Sequence, residues 1–369
     1  MNIIHLVRAT TWGGGERYAL DLCRKSIETG HNNVIVATKG AEDIDKRFSD
    51  AGAQIKNLSL GGVFDFQSPL SLAKIIRGIE GEEVILHVHT FKDAEIAARA
   101  KVIIGNKKKV RLVCTRHLVK KGKVSPRWNF IYRNIDAFIF ISNLAKDVFM
   151  EGGPVIPEEK IKVIHNSIII PEKYSIPIPP AQSDSENITL LYTGRISPEK
   201  GIESLIDAMA LLPSNGNFQI SLRIAGIGKD TYIASLQQLA EEKGVGDRIS
   251  WLGFVSDIFG EIRNADICVA PSVWREPFGL TIIEFMSQAR PVITTNNGAQ
   301  TEIITPCKDG ILIPPSDPQA LAEGIKSLAS DIALRKRMGN EAFTTFNSKF
   351  SYNVFFNRII KVYQLVLTK

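Results

Sequence analysis

Short apolar, β-branched runs alternate with longer stretches of helical periodicity along the whole chain, and that alternation limits the fold more than any other feature. In the first half the runs fall at Asn2–Val7, Asn33–Thr38, Gln54–Leu60, Val84–His89, Val110–His117, Ala137–Ser142 and Lys162–Asn166. In the second half they fall at Ile188–Arg195, Gln219–Gly226, Arg248–Phe254, Asp266–Ser272, Pro291–Asn296 and Ile311–Pro315. Several are unbroken, such as AFIFIS and DICVAPS. Strands read that way when helices cover both faces of a parallel sheet. Repeated βαβ units predict an α/β chain with doubly wound parallel sheets.

The stretch PEKYSIPIPPAQSDSEN at 171–187 holds four prolines followed by polar residues, which predicts a linker. A fresh strand follows it, so the chain reads as two Rossmann-like domains, 1–175 and 186–349. At 369 residues it is long enough for both. The last segment, about 350–369, has apolar residues at helical spacing and the length to pack back on the first domain.

Composition excludes several classes. Apolar residues make up 44% and charged residues 23%, which is ordinary for a globular chain. No apolar run approaches the roughly 20 residues of a membrane span. The opening MNIIHLVRATTW reads as a first strand and not as a signal peptide. Cys23, Cys114, Cys268 and Cys307 lie far apart without metal spacing, so they read as buried free thiols in a reducing, cytoplasmic setting.

Charge is unevenly placed. Residues Lys101 to Arg133 hold eleven Lys and Arg and no Asp or Glu, so the other residues carry a net −5 against the chain's +6. Trp128, Phe130 and Tyr132 lie among these cations. One reading is a surface for anionic membrane lipids or phosphates, peripheral to the inner face of a membrane. The other is a solvated helix face with core aromatics. No nucleic-acid module is present.

In doubly wound sheets, ligands bind beyond the carboxyl ends of the strands. The first strand leads into Gly13-Gly14-Gly15-Glu16 and a helix, a turn where phosphate can approach backbone N–H groups. It lacks the dinucleotide fingerprint, so no nicotinamide cofactor is indicated. The fourth strand ends in His87-Val88-His89 and the fifth in Thr115-Arg116-His117. His87 reads as a satisfied buried histidine and His117 as a ligand contact. No carboxylate or thiol completes a metal set with these histidines, so no metal and no other cofactor is expected.

In the second half, Gly194 and Arg195 precede Ser197-Pro198-Glu199-Lys200. Serine suits an N-cap and proline a first helical position, so Arg195 and Lys200 are expected to flank a helix start. Two cations there oppose each other and the helix dipole, and a bound diphosphate would relieve both costs. The run from Pro271 to Glu284 places a strand, a loop with Glu276, and a helix beginning near Gly279. The amides of Gly279, Leu280 and Thr281 lack intrahelical acceptors. Glu276 and Glu284 can accept hydrogen bonds from hydroxyl groups.

Taken in order, these motifs resemble the nucleotide-sugar-dependent retaining glycosyltransferases of family 4, the group 1 type. The similarity covers essentially the whole chain: Gly13-Gly14-x-Glu16, Thr115-x-His117, Gly194–Ile202, Glu276–Glu284, Ala289–Thr294 and Asp309–Asp317. It implies the GT-B fold, two Rossmann-like domains facing across a cleft. It also implies a UDP- or GDP-sugar as donor and a glycan or lipid-linked acceptor of polysaccharide biosynthesis, such as lipopolysaccharide or capsule. Arg195 and Lys200 would bind the diphosphate and Glu284 the ribose. Glu276 with the amides of Phe278, Gly279 and Leu280 would hold sugar and phosphate. Gly13 and Gly14 would approach phosphate or acceptor, and His117 the sugar near its anomeric centre. The sequence departs from the family at Ala289 and Ala299, where glycine is usual, and at Asn166-Ser167-Ile168-Ile169.

No carboxylate nucleophile stands at the end of a first-half strand. Attack on the sugar face that the phosphate leaves, with retention, is therefore expected. Two rivals fit the same fold: a non-hydrolysing nucleotide-sugar epimerase and a catalytically silent sugar-nucleotide-binding subunit.

Overall fold

The structure is a computed structural model that describes residues 1–8, 10–31, 33–61, 65–178, 187–213 and 219–368. It divides into two compact units, Met1–Asn166 with Asn353–Lys369, and Ser167–Tyr352. Residues 179–186, within the proline-rich stretch expected as a linker, lie outside the described residues.

The first unit carries a seven-stranded parallel sheet: β1 (Asn2–Val7), β2 (Asn33–Thr38), β3 (Gln54–Asn57), β4 (Glu83–Val88), β5 (Lys109–Arg116), β6 (Ala137–Phe140) and β7 (Ile161–Val163). Their order across the sheet is β3-β2-β1-β4-β5-β6-β7. The second unit carries six: β8 (Asn187–Thr193), β9 (Gln219–Ala225), β10 (Ile249–Gly253), β11 (Ile267–Ala270), β12 (Val292–Thr295) and β13 (Ile311–Ile313). Their order is β10-β9-β8-β11-β12-β13. Each sheet is doubly wound, and the order reverses between β1 and β4 in one and between β8 and β11 in the other. Loops leaving the carboxyl ends of such a pair diverge and open a crevice.

Every expected strand is present, but most run a residue or more past the ladder. β4 stops at Val88, β5 at Arg116 and β8 at Thr193, leaving His89, His117 and Gly194-Arg195 in loops.

Residues 167–175 belong to the second unit and not to the first domain expected to end at 175. Tyr174 donates to Asp257 Oδ2 at 2.6 Å and stacks on Phe259, which ties the short turn Glu172–Tyr174 there. In the other direction, the helix Tyr352–Thr368 lies almost wholly in the first unit. Its Phe355 packs edge-on against Tyr18, and its Tyr363 is buried against His87.

Several motif residues serve the scaffold. Arg290 is 1% exposed, and its guanidinium donates to the carbonyls of Ile262, Arg263, Gln288 and Ile178. A buried charge is tolerable when hydrogen bonds saturate it. Asp309, fully buried, accepts from Thr305 N and Thr345 Oγ1. Ala289 sits at φ 55, in the left-handed region that explains the glycine usual there. Cys23, Cys114 and Cys268 are buried thiols, but Cys307 is exposed and also left-handed at φ 62, against the expectation that all four are buried.

Candidate active site

In the crevice of the second sheet, two of the charged residues expected there, Lys200 and Glu276, are in contact. Pro198–Lys200 form one 3-10 turn, and the α-helix starts only at Ile202, after Gly201 at φ 72. Arg195 and Lys200 therefore flank a tight turn and not an α-helix start. The cause is steric. A Cβ on Gly201 would lie 2.1 Å from Pro271 O, and Val273 N donates to Glu199 O at 3.0 Å. The loop after β8 is thus pressed onto the loop after β11.

That contact sets the pairing. Lys200 Nζ bonds Glu276 Oε1, and Ser272 Oγ donates to the same oxygen at 2.7 Å. Lys200 also lies 5.8 Å from the centre of the Trp274 ring. The two cations are therefore not a bare repelling pair: Glu276 neutralises one of them. Arg195 is exposed, and Tyr192 Oη donates to its carbonyl at 2.8 Å, fixing the backbone that carries it. Gly194 stands at φ 139. Its carbonyl would lie 1.8 Å from a Cβ on Gly226, so both loops need glycine.

The helix Leu280–Ser287 begins as expected, with Gly279 as its N-cap at φ 123. Ile282 N bonds Gly279 O at 3.1 Å, closing the first turn. Phe278 contributes backbone only, since its ring is buried against Phe350. Glu284 is 9% exposed, one turn into the helix. Gly298 holds Glu276 from behind: a Cβ there would lie 2.5 Å from Glu276 N, and Ala299 N donates to Glu276 O at 3.0 Å. Ser272 and Gly298 stand within the motifs read from the sequence but are given no role by them; each lies two or three residues past a strand end.

In the first unit, Gly13 caps the helix Gly14–Glu28 with extended backbone. A Cβ on Gly14 would meet nothing within 4 Å, so that turn is open. The β1–β4 crevice holds a pocket of about 150 Å³, lined by Arg8, Gly15, Glu16, His89, Thr90 and Asp93. Arg8 donates to Asp93 Oδ1 at 2.8 Å and to the carbonyls of Leu60 and Gly61. Burial pushes the Asp93 carboxyl up, and Arg8 opposes that. Arg8 is a further residue that the sequence did not flag.

Four histidines cluster beside this pocket. His87 is buried between Tyr363 Oη at 2.6 Å and Thr115 Oγ1 at 2.7 Å, a structural role. His5 Nδ1 lies 3.3 Å from His89 Nε2, and His89 Nδ1 lies 3.4 Å from His117 Nε2. Burial lowers His5 and His117 to about 4 and holds His87 and His89 well below their ordinary value. His5, His87 and His89 offer nitrogens within 4.8 Å of one another. Both nitrogens of His87 are already engaged, so the group reads as a hydrogen-bond network.

The basic segment is mostly committed internally. Lys101 and Arg111 pair with Asp136, Arg127 with Glu95, and Lys108 reaches the carbonyls of Ile79 and Gly81. Tyr132 is buried, and Trp128 packs edge-on against Phe91. The loop past β5 faces solvent, with Leu118 and Val124 56% and 58% exposed beside Lys120, Lys121 and Lys123.

Residues 12–170 match the family described as Glycosyltransferase Family 4, and residues 178–345 match Glycosyl transferases group 1. An uncharacterized glycosyltransferase of Methanocaldococcus jannaschii is 31% identical over 222 residues, 57% of this chain and 55% of that protein. The chain thus spans about half the length of that relative. The lipopolysaccharide core biosynthesis glycosyltransferase LpsE of Rhizobium meliloti is 23% identical over 343 residues, 92% of each. The crystal structure of HepE from Anabaena in complex with UDP superposes with a TM-score of 0.82 at 22% identity, covering 98% of this chain and 99% of that one. That likeness shows the fold, two parallel-sheet α/β domains of the GT-B type.

Proposed function

Because this chain belongs to the glycosyltransferases of group 1 and family 4, we propose that it moves a sugar from a nucleoside-diphosphate donor to a glycan or lipid-linked acceptor, with retention. The observation that carries the reading is the Lys200–Glu276–Ser272 cluster beside the Gly279 helix start, in the crevice where the second sheet reverses its order.

In this reading the acceptor oxygen forms a bond to the anomeric carbon as the bond from that carbon to phosphate breaks. The acceptor's proton passes to the leaving phosphate on the same face. Negative charge grows on that phosphate. Arg195 offers a planar fork of donors, Lys200 a point charge, and Gly279 and Leu280 offer backbone N–H groups. Such preorganised groups are worth on the order of several kcal/mol in a water-poor site. Glu276, already fixed by Lys200 and Ser272, accepts from sugar hydroxyls, and Glu284 from the ribose. Gly13, Gly14 and His117, next to the residues that line the first unit's pocket, are assigned to hydroxyl-bearing groups of sugar or acceptor. Two cations and the helix start supply the charge a metal would otherwise bring, so activity should survive chelation.

The exposed Leu118 and Val124 among lysines suit an anionic lipid surface, which favours a lipid-linked acceptor. UDP is the first nucleotide to try, since the HepE structure holds it. Thermal shift with UDP, GDP and ADP, wild type against Arg195→Ala/Lys200→Ala, tests the site. Stabilisation of the wild type alone supports it, and stabilisation of neither withdraws it. An inverted product by NMR would overturn the stereochemistry. A product formed without acceptor would favour the epimerase.

A further inference from the structure

His5, His89 and His117 stand in series, joined by ring-nitrogen contacts of 3.3 and 3.4 Å. His5 is fully buried, and its Nε2 has no hydrogen-bond partner. At the other end, His117 uses Nε2 toward His89, which leaves Nδ1 as the nitrogen free for a ligand among the described residues. Burial keeps all three rings neutral near pH 7.

A neutral imidazole has one N–H donor and one bare acceptor nitrogen. Two contacts in series therefore admit only two consistent polarities. In one, His5 Nδ1–H donates to His89 Nε2, His89 Nδ1–H donates to His117 Nε2, and His117 carries its proton on Nδ1. In the other every proton is reversed, His117 Nδ1 is bare, and His5 Nε2 carries an N–H with no acceptor. Orphaned buried N–H groups are rare because they forfeit a strong hydrogen bond to water, whereas a bare acceptor is the lesser loss.

We infer that His5 and His89 are positioning residues that hold His117 as the Nδ1–H tautomer, so that His117 meets its ligand as a hydrogen-bond donor. A ligand oxygen is then the matching partner, a sugar hydroxyl or a phosphate oxygen, and a second donor such as an ammonium is rejected. What this does to turnover rests on the sugar-transfer reading above; the tautomer itself does not. Histidine in water favours the opposite, Nε2–H form, so the chain imposes a choice the side chain would not make alone.

The test is long-range proton–nitrogen NMR on the full chain labelled with 15N-histidine, at pH 7.5 without ligand. His5, His89 and His117 are expected to show pyrrole-type Nδ1 and pyridine-type Nε2 signals. His5→Phe removes the donor at the head of the series. Loss of the pyrrole-type Nδ1 signal of His117 in this variant is expected. On the sugar-transfer reading, kcat should also fall by about tenfold or more with little change in KM. A pyrrole-type Nε2 on His117 in the wild type overturns the inference even if the variant fails to fold. Unchanged His117 signals in a folded variant overturn it as well. If the tautomer is as stated and no sugar transfer is found, the functional reading falls and the inference stands.

Discussion

Lowering the pH from 7 to 5 should destabilise the first unit selectively. All six histidines lie in residues 1–166, so the second unit has none. An unfolded histidine titrates at about 6.5 and takes a proton over this range. His5 and His117, held at about 4 by burial, remain almost proton-free while folded. The unfolded state then binds more protons, and stability falls as pH falls from 6.5 toward 4. For each of the two, the linkage between pH 7 and pH 5 is roughly 1.8 kcal/mol. His87 and His89, held by burial well below their ordinary value, add to the loss. Two carboxyls oppose it. Asp21, raised by burial to about 6, gains a proton in the folded state, and Asp93 is raised in the same direction. Asp21 returns roughly 1.3 kcal/mol over the same interval. The net loss is on the order of 2 kcal/mol or more, a sizeable part of a typical stability of about 5–15 kcal/mol. With a urea m-value of about 2 kcal/mol per molar, the midpoint moves down by about 1 M. Emission of Trp12 and Trp128 reports on the first unit, and that of Trp251 and Trp274 on the second, separable by Trp→Phe variants. A first-unit midpoint that is equal or higher at pH 5 would refute the reasoning.

Three further outcomes are expected. Ala289→Gly should raise stability by about 0.5–1 kcal/mol by relieving left-handed strain at φ 55, read as an increased urea midpoint. Gly298→Ala should push Glu276 off Lys200, because the new Cβ meets Glu276 N at 2.5 Å; donor turnover should fall by on the order of 100-fold while the fold persists, checked by kinetics beside circular dichroism. Replacing Lys120, Lys121 and Lys123 by Gln should weaken sedimentation with phosphatidylserine vesicles, by roughly 1 kcal/mol per lysine, and unchanged binding would remove the lipid surface from the proposal.

The sheets were legible because parallel strands buried on both faces leave unbroken apolar runs, as in AFIFIS and DICVAPS. Their ends were not, because where a ladder stops is set with the neighbouring strand, as at Thr193 beside Ala225 and at Arg116 beside Phe140. The charged residues of the second crevice were readable from their place after strands. The Lys200–Glu276 pair was not, since 76 residues separate its members and only the packing of Gly201 on Pro271 brings them together. His5 escaped notice because it sits mid-strand, where a histidine looks like core. Its meaning comes from β4, which lies beside β1 although it is far along the chain. The basic segment looked like surface because sequence does not show carbonyls, and the carbonyls of Ile79 and Gly81 are what engage Lys108.

The return of residues 353–369 to the first unit has a consequence during synthesis. Phe355 and Tyr363 leave the ribosome only after the whole of 167–352. At ~5–20 residues per second, the first unit waits roughly 10–40 s with the Tyr18 and His87 side of its sheet uncovered. The second unit, continuous in sequence, can close before the first is finished. A nascent chain halted short of Phe355 should therefore offer its first sheet to chaperones or to aggregation, and release of the last helix should end that exposure.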